Sequence, residues 1–106
     1  MKKFIFKLLI ILFLSPIAYS SEIKKIVEGD LNAKIKIIVY ESLTCSHCAN
    51  FHKDVYPELK NEFIDTGLAS IEFRNFPLDM AAFNAAKIAH CKNDGKSEIL
   101  LSLIHI

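Results

Sequence analysis

The 106-residue chain has no tryptophan, a single arginine at position 74, and only three residues each of glycine, proline and cysteine. So few Pro and Gly positions, with 52% apolar residues, exclude a collagen-like or disordered chain. Three cysteines are too few for a disulfide-stapled miniprotein, so their placement matters more than their number. Thirteen basic against twelve acidic side chains leave a net charge of +1, which gives no electrostatic footprint for nucleic acid. The length allows one small domain, since domains run to roughly 50–250 residues.

The first twenty residues read as a targeting segment. Met1-Lys2-Lys3 and Lys7 form a basic start, Leu8 to Leu14 is an unbroken apolar run, and Ser15-Pro16 interrupts it. A spanning helix needs about 20 apolar residues, and this run falls well short. Ala18-Tyr19-Ser20 sets small residues at the two positions a signal peptidase reads, so a signal peptide over 1–20, cleaved before Ser21, is expected. The expectation is a periplasmic or otherwise exported protein with no stable membrane anchor after cleavage. The mature chain, 21–106, keeps 10 basic and 12 acidic side chains and all three cysteines. Export brings those cysteines into an oxidising compartment where thiols pair or turn over.

Along the mature chain, residues 21–32 are mixed and polar, with a turn at Gly29-Asp30. Lys34 to Glu41 alternates and then runs continuously β-branched and aromatic, which predicts a strand whose far end is buried on both faces. From Cys45 to Ile64 the spacing turns helical, with Phe51, Val55, Leu59 and Phe63 on one face and a kink expected before Pro57. Asp65-Thr66-Gly67 stops it. Leu68 to Phe76 predicts a second strand ended by Pro77, and Asp79 is placed to cap a helix from Met80 to about Lys92. Lys96 to Ile106 reads as the opening of a further helix. Strand, helix, strand predicts an α/β protein with a βαβ unit and two parallel strands.

The chemistry concentrates in Cys45-Ser46-His47-Cys48, where the first strand gives way to the helix. At a helix N-terminus unpaired N–H groups and the dipole stabilise a thiolate, so Cys45 is expected to be the low-pKa nucleophile. Cys48, one turn in and more covered, suits the resolving role, and His47 adds a partly cationic neighbour that favours the reduced thiolate. A c-type haem site needs His directly after the second Cys, where Ala49 stands. Zinc or copper could recruit Cys45 and Cys48 with His47 or His52, but His90-Cys91 lacks the spacing of a second ligand pair, so no metal site is assigned. A metal-binding module using Cys45, Cys48 and a histidine, and a purely structural disulfide, are the alternatives to the redox reading.

These residues resemble a family. Ile37 to Thr44 leading into Cys45-Ser46-His47-Cys48-Ala49-Asn50-Phe51-His52 is similar to the active-site segment of DsbA-like thiol:disulfide oxidoreductases. Val55-Tyr56-Pro57-Glu58-Leu59 and Phe73-Arg74-Asn75-Phe76-Pro77-Leu78-Asp79 resemble the same family, and the alanine-rich helix ending at His90-Cys91 resembles the start of its helical insertion. The resemblance spans roughly residues 26–95. It implies a thioredoxin-like fold, Cys45 as nucleophile, Cys48 as its partner, and no cofactor. It implies reduced client proteins engaged by mixed disulfide, and a membrane-bound redox partner that reoxidises the pair. Ser46 replaces the family's usual proline between the cysteines. The family continues through more helices, two further strands, a final helix and a cis-proline loop facing the CxxC, and these residues hold no counterpart. A partial domain is therefore expected, a βαβ unit with the start of the insertion and the C-terminal half missing, truncated by a frameshift near Glu98. Such a piece leaves a strand edge and an apolar sheet face uncovered. The competing expectation is an inactive fragment that aggregates or binds through that surface.

The other singled-out residues carry blander expectations. Cys91 is expected to be a buried small hydrophobe, and His52 a packing or helix-surface histidine rather than a base. Phe51, Phe63, Phe73 and Phe83 are expected in the core, with Phe73 and Phe76 against the active-site helix.

Overall fold

The computed structural model describes residues 20–104. The expected signal peptide lies outside the described residues. Three strands form one sheet in the order β1-β3-β2, with β1 at Ile26–Gly29, β2 at Ile35–Glu41 and β3 at Ala69–Asn75. The pair β2 and β3 is parallel, Ile37 opposite Ile71 and Val39 opposite Phe73, as the βαβ reading requires. The short β1 is the strand that sequence reasoning missed. It adds antiparallel to β3, with Ile26 opposite Phe73 and Glu28 opposite Ile71. Its last residue, Gly29, has φ +91°, and a Cβ there would lie 2.8 Å from the Ala69 carbonyl oxygen and 2.9 Å from Ile64 Cγ2. Only glycine lets the turn close so near to β3.

One correction concerns β2. Its far end is not buried on both faces, because β3 and not β2 is the central strand. Ile38 and Tyr40 are exposed while Val39 is partly covered and Glu41 is fully buried. The sheet covers one face only among the described residues. Its other face is not simply apolar: Arg74 Nε donates to Glu72, Arg74 also donates to the Tyr40 hydroxyl, and Lys25 approaches Glu72.

Residues 46–64 form one helical rod whose turns alternate in kind. It comprises α1 (Ser46–Asn50), a π-turn (Phe51–Val55), α2 (Tyr56–Leu59) and a second π-turn (Lys60–Ile64). Pro57 sits in the first turn of α2, where its missing N–H is tolerated, and the five-residue turn ahead of it is closed by Tyr56 N–H to Phe51 O. A π-turn inserts an extra residue and rotates everything after it around the rod. The core face is therefore His52, Tyr56 and Ile64, not the expected line of Phe51, Val55, Leu59 and Phe63. Phe51 and Leu59 are partly buried at its margin, whereas Val55 and Phe63 are exposed.

Beyond β3, α3 spans Met80–Ala89 and α4 spans Glu98–Leu103. Ala82, Ala86 and Ala89 form the buried side of α3, and Leu100 and Ile104 seal the end of the core. The centre is Phe73, 2% exposed, with Ile26, Ile71, Tyr56, Ile64 and Leu43 around it. Burying such a side chain contributes about 1.5–3 kcal/mol. Phe83 and Phe76 are exposed, so neither joins the core, and only Phe73 reaches the active-site rod. Cys91 is also exposed, because α3 ends before it rather than running to Lys92. Below the sheet, the Glu28 carboxylate accepts from both Tyr56 and Ser97 and faces Lys60 Nζ at 3.5 Å, tying β1 to the rod and to the start of α4. Burial, then the hydrogen bond to Glu28 and that group's charge, push the Tyr56 phenol far above its ordinary value.

Candidate active site

The site is built where β2 ends. Glu41 O accepts from Phe76 N–H at 2.7 Å, so the chain leaving β2 is tied to the chain leaving β3. A turn follows, with Cys45 N–H donating to Ser42 O at 3.0 Å and Leu43 buried as its anchor. Ser42 Oγ accepts from Leu78 N–H at 3.3 Å. Asp79 caps α3 as expected, its Oδ1 accepting from Ala82 N–H at 2.7 Å, and its Oδ2 accepts from the Thr44 hydroxyl at 2.8 Å. Those two bonds hold the Asp79 carboxyl below the usual carboxylate range. The residue immediately before Cys45 is thus fixed from a second helix.

Cys45 stands in the cap position of α1, extended at φ −85° and ψ 119°, and its carbonyl receives Ala49 N–H at 3.0 Å. The Cys45 and Cys48 thiols are both free. Hydrogen bonds from the Cys48 backbone, then from the Cys48 thiol, with a smaller one from the His47 backbone, lower the Cys45 thiol pKa. The orphan donors of a helix start thus converge on one sulfur. His47 acts on Cys45 through its N–H, and its side chain is exposed. For Cys48 the order reverses. Burial raises its pKa, as do Cys45 and the charge of Glu41, against a backbone hydrogen bond from Ser42. The same helix start thus shifts the two thiols in opposite directions.

Beside Cys48 lies a depression of about 230 Å³ lined by Val39, Tyr40, Glu41, His47, Cys48 and Phe51. Behind it is a pair that the sequence reading did not single out as functional. His52 Nε2 and Glu41 Oε2 lie 2.5 Å apart, both side chains 1% exposed. The His52 ring sits among Phe51, Tyr56 and Phe73, at centroid distances of 5.3–5.5 Å. The signal was present as an acid closing an apolar strand and a histidine one turn past Cys48. Among the described residues no three His, Cys, Asp or Glu side chains converge as a metal site would require.

Residues 21–106 match the thioredoxin family, and the chain belongs to it. Within that family its likeness runs to DsbA proteins. It superposes on alpha-DsbA1 of Wolbachia pipientis with a TM-score of 0.69 and 36% identity, over 88% of this chain and 45% of that one. A protein-disulfide isomerase of Novosphingobium aromaticivorans gives a TM-score of 0.70 at 26% identity, over 76% of this chain and 41% of the other. A Rickettsia bellii protein assigned as a protein-disulfide oxidoreductase is 38% identical over 72 residues, 68% of this chain and 28% of the relative. The chain spans about a quarter of the length of the curated relatives it matches. The thioredoxin-like, DsbA-type partial fold expected from the sequence is the fold observed.

Proposed function

We propose that this chain carries the redox centre of an exported protein-disulfide oxidoreductase, with Cys45 as nucleophile, Cys48 as resolving thiol and His47 as the neighbour that completes the motif. The observation that carries the reading is the opposed setting of the two thiols, Cys45 lowered by helix-start donors and Cys48 raised by burial. In the oxidising direction a client thiolate attacks the Cys45 sulfur of a Cys45–Cys48 disulfide. The client–Cys45 bond forms, the Cys45–Cys48 bond breaks, and the electron pair leaves on Cys48. A second client thiolate then attacks its own sulfur in the mixed disulfide and expels Cys45, whose low pKa makes it a good leaving group. The client is oxidised by two electrons and the Cys45–Cys48 pair is reduced by two. A membrane-bound partner that takes those electrons would return the pair to the disulfide. The basic start and the Leu8 to Leu14 run support export, and no helix among the described residues is long and apolar enough to cross a membrane.

The test uses the full chain and a peptide containing one disulfide. The Cys48→Ser variant should accumulate a mixed disulfide through Cys45, visible as a peptide-sized mass increase that dithiothreitol removes. Wild type should turn the peptide over without accumulating it. Absence of the adduct in Cys48→Ser, with wild type equally inert, would establish the inactive-fragment reading instead. Export is tested by sequencing the N-terminus of the secreted protein, which should begin at Ser21.

A further inference from the structure

The rod and the sheet leave two outward faces, on opposite sides of the molecule, and the two carry opposite charge. Along the rod, His52, Tyr56 and Ile64 recur at multiples of four residues and face the core. Two positions further along, roughly half a turn round, stand Asp54, Glu58 and Glu62, all exposed. Beside that row Val55 and Phe63 are 52% and 40% exposed. Among the described residues no lysine or arginine lies within ion-pair reach of these three acids. Three acids with only Lys53 near them in sequence leave this face negative.

The uncovered face of the sheet alternates with the core positions. Lys36, Ile38 and Tyr40 on β2 stand beside Ser70, Glu72 and Arg74 on β3. Ile38 and Tyr40 are 46% and 61% exposed, and Leu31 at the margin is 68% exposed. Glu72 is shared by two cations, Arg74 Nε at 2.7 Å and Lys25 Nζ at 3.9 Å. Lys36 has no acidic partner among the described residues, so this face is positive. A depression of about 250 Å³ opens in it between Val27, Leu31, Lys36 and Ile38.

A sheet with helices on one face is half of the layered arrangement that buries both. The element that completes it here is a helix with acids along its crest and an apolar flank. The chain carries one, its own rod, but on the far side of the sheet, so the match is made between molecules. We propose that this chain self-associates head to tail, the acidic outer face of one copy's rod docking on the basic open sheet face of the next. In that contact Asp54, Glu58 and Glu62 face Lys25, Lys36 and Arg74, and Val55 or Phe63 enters the depression. Like faces repel: rod on rod sets acid against acid, and sheet on sheet sets base against base. The interface is heterologous and each copy keeps one face free, so association continues beyond a dimer. Neither face includes Cys45 or Cys48, so the inference stands apart from the disulfide-exchange reading.

The test is sedimentation velocity of the full chain in reducing buffer over a range of concentrations, with circular dichroism confirming the fold of each variant. Wild type should form species larger than a dimer, in a share that grows with concentration. Raising salt from about 0.1 to 1 M shortens the screening length from about 10 to 3 Å and should raise the association midpoint several-fold. Glu58→Lys with Glu62→Lys, and separately Lys25→Glu with Lys36→Glu, should each raise it roughly tenfold or more. An equal mixture of the two variants should associate again, because each brings the face the other has lost. A monomeric wild type overturns the inference. So does association that neither pair of substitutions weakens, which points to the β2 edge or residues 1–20, and so does association lost with one pair only, which means a face pairing with itself. Should a variant fail to fold, cross-linking of wild type decides. A zero-length carbodiimide on an equal mixture of isotope-labelled and unlabelled chain should join Glu58 or Glu62 of one copy to Lys25 or Lys36 of another. Hybrid-mass peptides that lack those pairs overturn the inference.

Discussion

The Thr44 hydroxyl donates to Asp79 Oδ2 at 2.8 Å across 35 positions of sequence, while Asp79 Oδ1 caps α3 through Ala82 N–H at 2.7 Å. One carboxylate thus fixes both the start of α3 and the residue that precedes Cys45. The active-site turn is braced from outside its own βα unit.

Asp79→Ala should lower the melting temperature and broaden the backbone amide signals of Thr44 and Cys45. The sign of its pH dependence follows from the depressed carboxyl pKa. A folded value below the unfolded one makes the contribution complete above about pH 3.9 and lost as pH falls through the folded value. Wild type and variant melting curves measured by circular dichroism should therefore differ at pH 6 and converge toward pH 2.

Phe73→Ala should cost about 3–5 kcal/mol, since the ring is enclosed by His52, Tyr56 and Ile26 and the void cannot collapse. For a small domain with total stability of roughly 5–15 kcal/mol that is a large share. Urea titration followed by circular dichroism should show a much lower midpoint.

Gly29→Ala and Gly67→Ala separate two causes of strain. Both glycines have positive φ, +91° and +78°, but a Cβ at Gly67 meets nothing within 4 Å. At Gly29 it meets a backbone oxygen of the central strand. The Gly67 variant should lose about 1–2 kcal/mol from the left-handed backbone alone, and Gly29→Ala distinctly more, measured side by side in urea.

Much of this was legible from the residues. The parallel pair, the helix between, the Asp79 cap and the position of Cys45 and Cys48 follow from local patterns: alternation, a CxxC at a strand end, an acid before an alanine-rich run. What was not legible depends on tertiary context. The π-turn at Phe51–Val55 rotates the rod and exchanges Phe51, Val55 and Phe63 for His52, Tyr56 and Ile64 on the core face. Hydrophobicity alone favours the phenylalanines; the Glu41–His52 and Tyr56–Glu28 contacts favour the observed face. The short β1 carries too few apolar residues to announce itself and forms because β3 offers it an edge.

Cys91 offers a direct check on where α3 ends. Its exposure predicts that a maleimide labels it in the folded oxidised protein without denaturant. A requirement for denaturant would mean that the helix extends and buries it.

The central claim is that the fold makes Cys45 a reactive thiolate, and iodoacetamide alkylation of the reduced full chain against pH measures this directly. Peptide mapping assigns each adduct to its cysteine. The account predicts that Cys45 is modified first, with a midpoint well below the free-thiol value of about 8.5, while Cys48 reacts only at higher pH. Equal rates for the two cysteines, both with midpoints near 8.5, would contradict it.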